Sequence, residues 1–147
     1  MATLKGKSAI VTGASRGIGK GCALELGARG AIVYVTGRSV SEDDHVLPGT
    51  VGATAAEVDR LGGRGLAVQC DHRDDDQVRA LFDRVVTENG RLDIVVNSAF
   101  IIPDELTSGL KFWETPVSNW DDMVDVGTRS AYVTSLLAAP TMVEQGS

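Results

Sequence analysis

The stretch Ile10-Val11-Thr12-Gly13-Ala14-Ser15-Arg16-Gly17-Ile18-Gly19 decides the fold of this 147-residue chain. A glycine-rich turn here follows a short apolar run and opens a segment with helical spacing, which is the order of a strand, a turn and a helix. Glycines in such a turn permit the tight bend, the close approach of a phosphate and the close packing of helix on strand. A phosphate can then lie on free N–H groups at the positive end of the helix. The stretch predicts a nucleotide phosphate site, with an ordinary strand-to-helix turn as the alternative.

Four short apolar runs occur along the chain, at residues 8–12, 31–36, 66–70 and 92–96. Each is rich in Val, Ile or Leu without clean alternation, which is typical of strands buried on both faces of a parallel sheet. Segments with helical spacing separate the runs. This alternation predicts one α/β domain over residues 1–147, a doubly wound parallel sheet with right-handed crossovers, or Rossmann fold.

The clearest helical segment precedes the fourth apolar run. Its apolar stripe has the spacing i, i+3, i+4, i+7, i+8 and consists of Val78, Leu81, Phe82, Val85 and Val86. Asp74 followed three residues later by Gln77 resembles a capping box at the start of the helix. Gly90 predicts its end.

Two irregular stretches interrupt the pattern, at residues 39–52 and 105–119. The first is long enough to be a flexible loop or part of a substrate rim. The second precedes a largely helical segment from residue 120 to about residue 144. Trp113 and Trp120 can line a substrate mouth or pack beneath this loop, and the sequence leaves both interpretations open.

The composition is that of a globular domain, with 43% hydrophobic and 23% charged residues. The net charge of −6 argues against a nucleic-acid partner, because such a partner normally draws a basic surface. No apolar run approaches about 18 residues, so we expect no membrane span. No secretory signal is visible.

The cysteines and histidines predict neither a disulfide nor a metal site. Cys22 and Cys70 lie far apart in sequence, which favours reduced thiols and a cytoplasmic location, and Cys70 is expected in the core. His45 and His72 have no second His or Cys in register as a metal ligand. We expect both histidines to be solvated loop residues.

Three motifs at the ends of successive predicted strands resemble the classical short-chain dehydrogenase/reductases. The glycines are spaced G-x-x-x-G-x-G, as in that family, and not G-x-G-x-x-G as in the general dinucleotide fold. Asp71 after the third strand matches the acidic residue that the family places beside the adenine. Asn97-Ser98-Ala99-Phe100 after the fourth strand resembles the family motif Asn-Asn-Ala-Gly with its second and fourth positions changed.

A later stretch indicates which group of the family the chain resembles. Lys111-Phe112-Trp113-Glu114-Thr115-Pro116, followed by Trp120-Asp121-Asp122-Met123, is similar to the dehydrogenase/reductase member 1 group of the family. The resemblance implies a cofactor site at the carboxyl ends of the strands. The residues that it places there are Gly13, Ser15, Arg16, Gly17, Ile18, Gly19, Arg38, Asp71, Asn97 and Ala99.

The end of the second strand predicts which nucleotide binds. A site specific for NAD usually offers a carboxylate about 20 residues beyond the glycines for the ribose 2′-OH. Here no acid follows the strand before Glu42, and Arg38 stands where a 2′-phosphate would lie. Arg16 matches the second basic position of family members that prefer NADP. Because guanidinium pairs with phosphate and a carboxylate would repel it, we expect NADP(H). The alternative is that both arginines are solvated surface charges.

The residues that would carry the reaction are not found. The family uses a Tyr with a Lys four residues later, together with a Ser, to handle the proton at the substrate oxygen. Tyr34 lies within the second strand, where we expect a core position, and Tyr132 is followed four residues later by Leu136. Gly127 replaces an Asn that the family often has, a departure that also resembles the member 1 group. We therefore assign no catalytic residue and expect a truncated family member.

These observations lead to two functional hypotheses. The first is the cofactor-binding portion of an NADP-dependent oxidoreductase, which transfers hydride between NADP(H) and a small carbonyl or alcohol substrate. The second is a non-catalytic module that binds NADP(H) or docks onto another subunit. The absence of Tyr-x-x-x-Lys supports the second hypothesis, and the substrate-side residues 112–120 support the first.

The expected strand order, 3-2-1-4, has a physical consequence. It leaves residues 92–96 as an open apolar edge, which invites self-association. A helix face bearing Val133, Leu136 and Leu137 is expected to be uncovered as well. We expect poor solubility for the chain alone, and either a homo-oligomer or completion by a missing C-terminal part.

Overall fold

The computed structural model describes residues 3–146 and shows in them a four-stranded parallel sheet flanked by helices. The strands are β1 (Ser8–Val11), β2 (Ile32–Gly37), β3 (Arg64–Gln69) and β4 (Ile94–Val96). The principal helices are α1 (Gly17–Ala28), α2 (Val51–Arg60), α3 (Asp75–Asn89), α4 (Ser118–Met123) and α5 (Ser130–Gln145). Residues 1, 2 and 147, which include both ends of the predicted domain, lie outside the described residues.

The sheet has the strand order β3-β2-β1-β4, which confirms the predicted order and the doubly wound α/β class. β1 runs parallel to both of its neighbours, with Ile10 opposite Tyr34 of β2 and Val95 of β4. Parallel strands of one sheet end at the same edge, so the loops that follow β1, β2, β3 and β4 meet there.

Alternate residues of each central strand face opposite sides of the sheet, and helices cover both sides. Ile10 and Tyr34 pack in a cluster with Val78 of α3 and Ala138 of α5. Their neighbours in the strands belong to the opposite cluster, which includes Val11, Val33, Val35, Ala23 of α1 and Val58 of α2. Because both faces of these strands are buried, their sequences are continuous apolar runs.

The fourth strand is shorter than predicted. It begins at Ile94, although Leu92 is fully buried. The Leu92 N–H donates to Oε1 of Gln145 in α5, at 3.1 Å, so it does not take part in the sheet. An apolar residue here fills the core without being part of the strand.

Helix α3 begins and ends where the sequence predicts. Four residues of the predicted stripe are buried, whereas Val86 is 40% exposed. The Asp74 carboxylate accepts from the N–H groups of Asp76 and Gln77, but the Gln77 side-chain oxygen accepts from the N–H of Asp71, so the start is not a reciprocal capping box. Gly90 ends the helix in the left-handed conformation with φ +66°.

The C-terminal helical segment is interrupted. A π-helical turn, Val124–Arg129, joins α4 to α5 within the segment that the sequence predicts to be largely helical. The predicted uncovered face is partly wrong, because Val133 and Leu137 pack against the core and only Leu136 is exposed. Among residues 3–146, no helix is both long and apolar enough to cross a membrane.

Candidate cofactor site

The three glycines of the first turn have different structural roles. Gly13 has φ +64°, and a Cβ there would lie 2.7 Å from the Cα of Ala99. A Cβ on Gly19 would overlap the carbonyl oxygen of Gly13, so this glycine permits α1 to pack on the turn. Gly17 has φ +58° with open space where its side chain would be, which leaves room for a ligand at the start of the helix.

Thr12 fastens the end of β4 to this turn. Its N–H donates to the Val96 carbonyl at 3.0 Å, and its hydroxyl oxygen accepts from the N–H groups of Ser98 and Ala99, both at 2.9 Å. Thr12 belongs to the stretch that decides the fold but is not among the predicted site residues. The signal in the sequence is a hydroxyl residue placed between the apolar run of the first strand and the first glycine of the turn.

Asn97 also contacts the last helix. Its side-chain nitrogen donates to the hydroxyl of Ser135 at 3.1 Å and lies 3.5 Å from the carbonyl oxygen of Ala131. Asn97 is exposed at the carboxyl end of β4, beside the turn that Thr12 closes. These contacts fix the position of the β4 end relative to α5.

The two arginines that the sequence places near a 2′-phosphate differ in their surroundings. Arg16 lies at the N-cap of α1, and its Nη2 donates to the Ser39 hydroxyl at 3.0 Å and to the Gly49 carbonyl at 2.8 Å. Arg38 follows β2 and is exposed. Within residues 3–146, the Arg38 side chain forms no hydrogen bond or ion pair. Of these two arginines, Arg38 is therefore the one whose guanidinium is unpaired.

Asp71 follows β3 and lies in the part of the site next to that strand. Its Oδ1 accepts from the N–H of Arg73 at 3.0 Å, and its own N–H donates to Gln77 at 2.9 Å. The carboxylate is half-buried, and Oδ2 has no hydrogen-bond partner in the part of the chain that the structure describes. An acceptor is thus available at the edge where β2 and β3 end.

His72 corrects a prediction, because it is buried and not solvated. It is 4% exposed, and its Nε2 lies 2.8 Å from the Thr36 hydroxyl. The same hydroxyl lies 3.3 Å from the Val11 carbonyl oxygen, so it contacts both the His72 ring and β1. Burial lowers the pKa of His72 to about 4, although the nearby Asp71 opposes the shift. The contact ties the ends of β1, β2 and β3 together.

Cys70 is a core residue, as predicted. It is buried, and burial raises the pKa of its thiol to about 12, with Asp71 and Asp74 adding to the shift. A buried thiol in this state is not a nucleophile at neutral pH.

Two ion pairs hold the α4–α5 segment against the start of α3. Arg129 of the π-helical turn donates two hydrogen bonds to Asp75, at 2.8 and 2.6 Å, and lowers the pKa of that carboxyl. Arg73 donates to Asp122 of α4 at 2.6 Å. Gly127 lies in the π-helical turn, with open space where a side chain would be.

Neither tyrosine resembles a catalytic group. Tyr34 is fully buried, as predicted, and its hydroxyl donates to Glu88 at 2.6 Å. Burial, together with that hydrogen bond, raises the pKa of Tyr34 to about 12. Tyr132 is exposed on α5. In residues 3–146, therefore, no Tyr–Lys pair is present.

Trp113 and Trp120 are exposed, at 73% and 70%, so neither is packed beneath the loop. Both follow β4 in sequence, in a segment that contains the short 3₁₀ turn Phe112–Glu114. Lys111 lies over the Trp113 ring, 5.4 Å from its centroid. Of the two interpretations that the sequence leaves open, packing under the loop is excluded.

The predicted site residues all lie at one edge of the sheet, in its loops and in the first turn of α1. Gly13, Ser15 and Arg16 precede α1, Gly17, Ile18 and Gly19 begin it, Arg38 follows β2, Asp71 follows β3, and Asn97 and Ala99 follow β4. The strand order reverses between β1 and β4, and open α/β sheets bind ligands in the crevice at such a point.

A family model for the short chain dehydrogenases matches residues 7–147. The chain belongs to the short chain dehydrogenase family. Dehydrogenase/reductase SDR family member 1 of Mus musculus is 44% identical over 149 residues, which cover 99% of this chain and 45% of that protein. The chain thus spans about half the length of this short chain dehydrogenase relative.

Solved structures of other proteins have the same fold. The structure of a protein from Xanthomonas campestris is 38% identical, with a TM-score of 0.86, and the match covers 97% of this short chain dehydrogenase and 51% of that chain. A metagenomic short-chain oxidoreductase in complex with NADP is 30% identical (TM-score 0.80, covering 97% of this chain and 59% of that one). A 7α-hydroxysteroid dehydrogenase in complex with NADH is also 30% identical (TM-score 0.78, covering 98% and 51%). The family therefore binds nicotinamide cofactors, and these two neighbours differ in which one.

Proposed function

We propose that this chain binds NADP(H), as the cofactor-binding portion of an oxidoreductase that transfers hydride between NADP(H) and a small carbonyl or alcohol substrate. One observation carries the choice of nucleotide. Arg38, the residue that follows β2, is an exposed guanidinium without a partner among residues 3–146, and no carboxylate lies between it and Glu42. The 2′-phosphate of NADP(H) could pair with this guanidinium, whereas the ribose 2′-OH of NAD(H) would lack the carboxylate that usually binds it.

In this proposal the pyrophosphate lies at the start of α1. Gly17 has open space on the side where a side chain would be, and Ile18 is exposed next to it. The N–H groups of the first helical turn have no partner within the helix and can donate to an anion. Gly13 and Gly19 keep the turn compact, and Ser15 lies buried within it.

The remaining site residues are proposed to line the two ends of the cofactor. The free carboxylate oxygen of Asp71 can accept from the adenine amino group, since a carboxylate acts only as an acceptor. Asn97 and Ala99 follow β4, next to Gly13, where the nicotinamide half would extend. We propose that the whole of residues 1–147 forms one cofactor-binding domain.

The chemistry that the cofactor supplies is hydride transfer. This chain contributes binding and orientation, because the Tyr–Lys pair that handles the proton in the family is not among its residues.

The binding proposal is tested by fluorescence titration of the folded chain with NADPH. We expect saturable binding that 2′,5′-ADP displaces and that 5′-AMP displaces at least about tenfold less well, because only the former carries the 2′-phosphate. Equal displacement by the two nucleotides would contradict recognition of the 2′-phosphate.

The second candidate is a module that binds NADP(H) without catalysing a reaction. Its supporting observation is that Tyr34 is buried against Glu88 and that Tyr132 has no Lys four residues later. Sequencing the gene beyond codon 147, with the intact mass of the native protein, separates the two candidates. A downstream Tyr-x-x-x-Lys favours the oxidoreductase, whereas a native stop with tight NADPH binding and no turnover favours the module.

We also propose a cytoplasmic location and self-association. Cys22 and Cys70 are both free thiols, which suits a reducing compartment. Tyr132, Leu136 and Val143 are exposed on α5 and provide an apolar surface for a second copy. Fractionation of cells that express the tagged protein tests the location.

A further inference from the structure

Arg16 contacts the loop between β2 and α2 through three hydrogen bonds. Its Nη2 donates to the Ser39 hydroxyl and to the Gly49 carbonyl, and its Nε donates to the Pro48 carbonyl at 3.3 Å. Ser39 and Gly49 stand at the two ends of this loop, which covers residues 38–50. Arg16 therefore joins both ends of the loop to the glycine turn.

Other contacts close the same loop. The N–H of Val51 donates to the Ser39 carbonyl at 2.9 Å, and the N–H of Gly49 donates to Oε2 of Glu42 at 3.0 Å. Gly49 has φ +118°, and a Cβ there would lie 2.5 Å from the Ser15 carbonyl oxygen. The base of the loop is thus packed directly on the turn, while Val46 at its tip is 98% exposed.

From this arrangement, and resting on the proposed function, we propose that Arg16 and Arg38 have different roles in cofactor binding. Arg38 contacts the 2′-phosphate and decides between NADP(H) and NAD(H). Arg16 is a positioning residue that holds the base of the 38–50 loop on the glycine turn, and it supports the binding of both cofactors to the same degree. The resemblance alone would give both arginines the same role.

Replacement of Glu42 distinguishes this proposal from an explanation based on charge alone. Its carboxylate lies in the loop and fixes Gly49, so removing it should loosen the base of the loop and weaken the binding of both cofactors. If only charge mattered, removal of an acid near a 2′-phosphate would instead strengthen NADPH binding. The two explanations therefore predict opposite signs for Glu42→Ala.

The experiment measures dissociation constants for NADPH and NADH, and the rate of thermolysin cleavage beside Val46 and Leu47 without cofactor. The variants are Arg16→Ala, Arg38→Ala and Glu42→Ala. Arg60→Ala is the matched control, because it removes an arginine whose side chain is 73% exposed on α2 and is not part of the loop. Circular dichroism checks folding, and Arg16→Lys replaces Arg16→Ala if the alanine variant does not fold.

We expect Arg16→Ala to raise both dissociation constants by a common factor of about 3 to 10, with faster cleavage, because it loses hydrogen bonds that order the loop. Glu42→Ala should change the same quantities in the same direction. Arg38→Ala should raise the dissociation constant for NADPH by about tenfold or more and leave that for NADH and the cleavage rate unchanged. Arg60→Ala should resemble the wild type.

Two results would overturn the division of roles. One is an Arg16→Ala variant that loses affinity for NADPH alone and is cleaved at the wild-type rate. The other is a Glu42→Ala variant that binds NADPH more tightly. If the wild type binds neither nucleotide, the proposed function fails and the cofactor part of this inference fails with it. Cleavage of cofactor-free Arg16→Ala still decides whether Arg16 holds the loop.

Discussion

Gly13 and Ala99 approach so closely that a Cβ on Gly13 would lie 2.7 Å from the Cα of Ala99. This contact brings the first turn against the end of β4, and the positive φ of Gly13 adds a second reason for glycine. Gly17 shares the positive φ but has open space around the missing side chain. The two glycines form a natural pair for comparison.

We predict that Gly13→Ala lowers the free energy of unfolding by about 3 kcal/mol, from left-handed backbone strain and overpacking together. Gly17→Ala should cost only about 1 kcal/mol, because it carries the backbone strain alone. Urea denaturation of both variants measures the difference. Equal losses would contradict the close approach of the turn to Ala99.

Thr12→Val should lower the free energy of unfolding by about 2 kcal/mol, because it removes the acceptor for the N–H groups of Ser98 and Ala99. Thr12→Ser keeps the hydroxyl and should cost about 1 kcal/mol for the lost methyl group. The same denaturation experiment compares them. A serine variant as unstable as the valine variant would show that the hydroxyl is not what holds the β4 end.

The buried His72 predicts a pH dependence of stability. Its pKa in the folded protein, about 4, lies below the unfolded value near 6.5, so the unfolded chain takes up the proton first as the pH falls. Stability should fall by about 1.4 kcal/mol per pH unit below pH 6.5, until the pH approaches 4. His72→Gln should remove this slope, as measured by denaturation at pH 7, 6 and 5.

His45→Gln provides the control for the His72 experiment, because it removes an exposed histidine. The slope should persist in this variant. A wild-type protein with constant stability from pH 7 to pH 5 would mean that His72 is solvated, as the sequence alone had predicted.

Asp93 predicts a second pH effect, at lower pH. Burial opposes its ionisation, but hydrogen bonds from Arg91, Lys7 and the N–H of Ser8 outweigh burial and hold the pKa of Asp93 well below its usual range. The resulting stabilisation is complete above pH about 4 and is lost as the pH falls through the folded-state pKa.

Asp93→Asn should therefore cost about 2 kcal/mol at pH 7 and progressively less below pH 4. Denaturation at pH 7 and pH 3 measures both quantities. Glu25→Gln changes an exposed ion pair with Arg29 and should have little effect at either pH. A loss at pH 3 as large as that at pH 7 would contradict this role of the carboxylate.

The open edge of β4 predicts self-association of the 147-residue chain. Within residues 3–146, β4 pairs with β1 alone. Beside Val96 lies an apolar groove along α1, lined by Ile18, Gly21, Cys22, Glu25, Leu26 and Val96. Sedimentation over a concentration series should show species larger than a monomer. A monomer that melts in one sharp transition would contradict this prediction.

The sheet and the phosphate turn could be predicted from sequence because their signals are local. A run such as residues 31–36 reveals burial on both faces by its composition, and the glycine spacing identifies the turn. The strand order followed from the family resemblance and the sheet that it implies. The turn and the burial of each strand depend on residues that are close together in the chain, whereas the strand order does not.

The errors concern residues whose surroundings come from distant parts of the chain. His72 is buried against Thr36, 36 residues earlier, with which it forms a hydrogen bond. Leu92 leaves the sheet because Gln145 binds its N–H. Periodicity in a local window contains no information on such partners.

The central claim is that Arg38 recognises a 2′-phosphate, and the most direct measurement compares NADPH with NADH in the wild type and in Arg38→Asp. The wild type should bind NADPH at least about tenfold more tightly than NADH, and the aspartate variant should abolish or reverse that preference. An Arg38→Asp protein that folds and keeps the wild-type preference would contradict the claim.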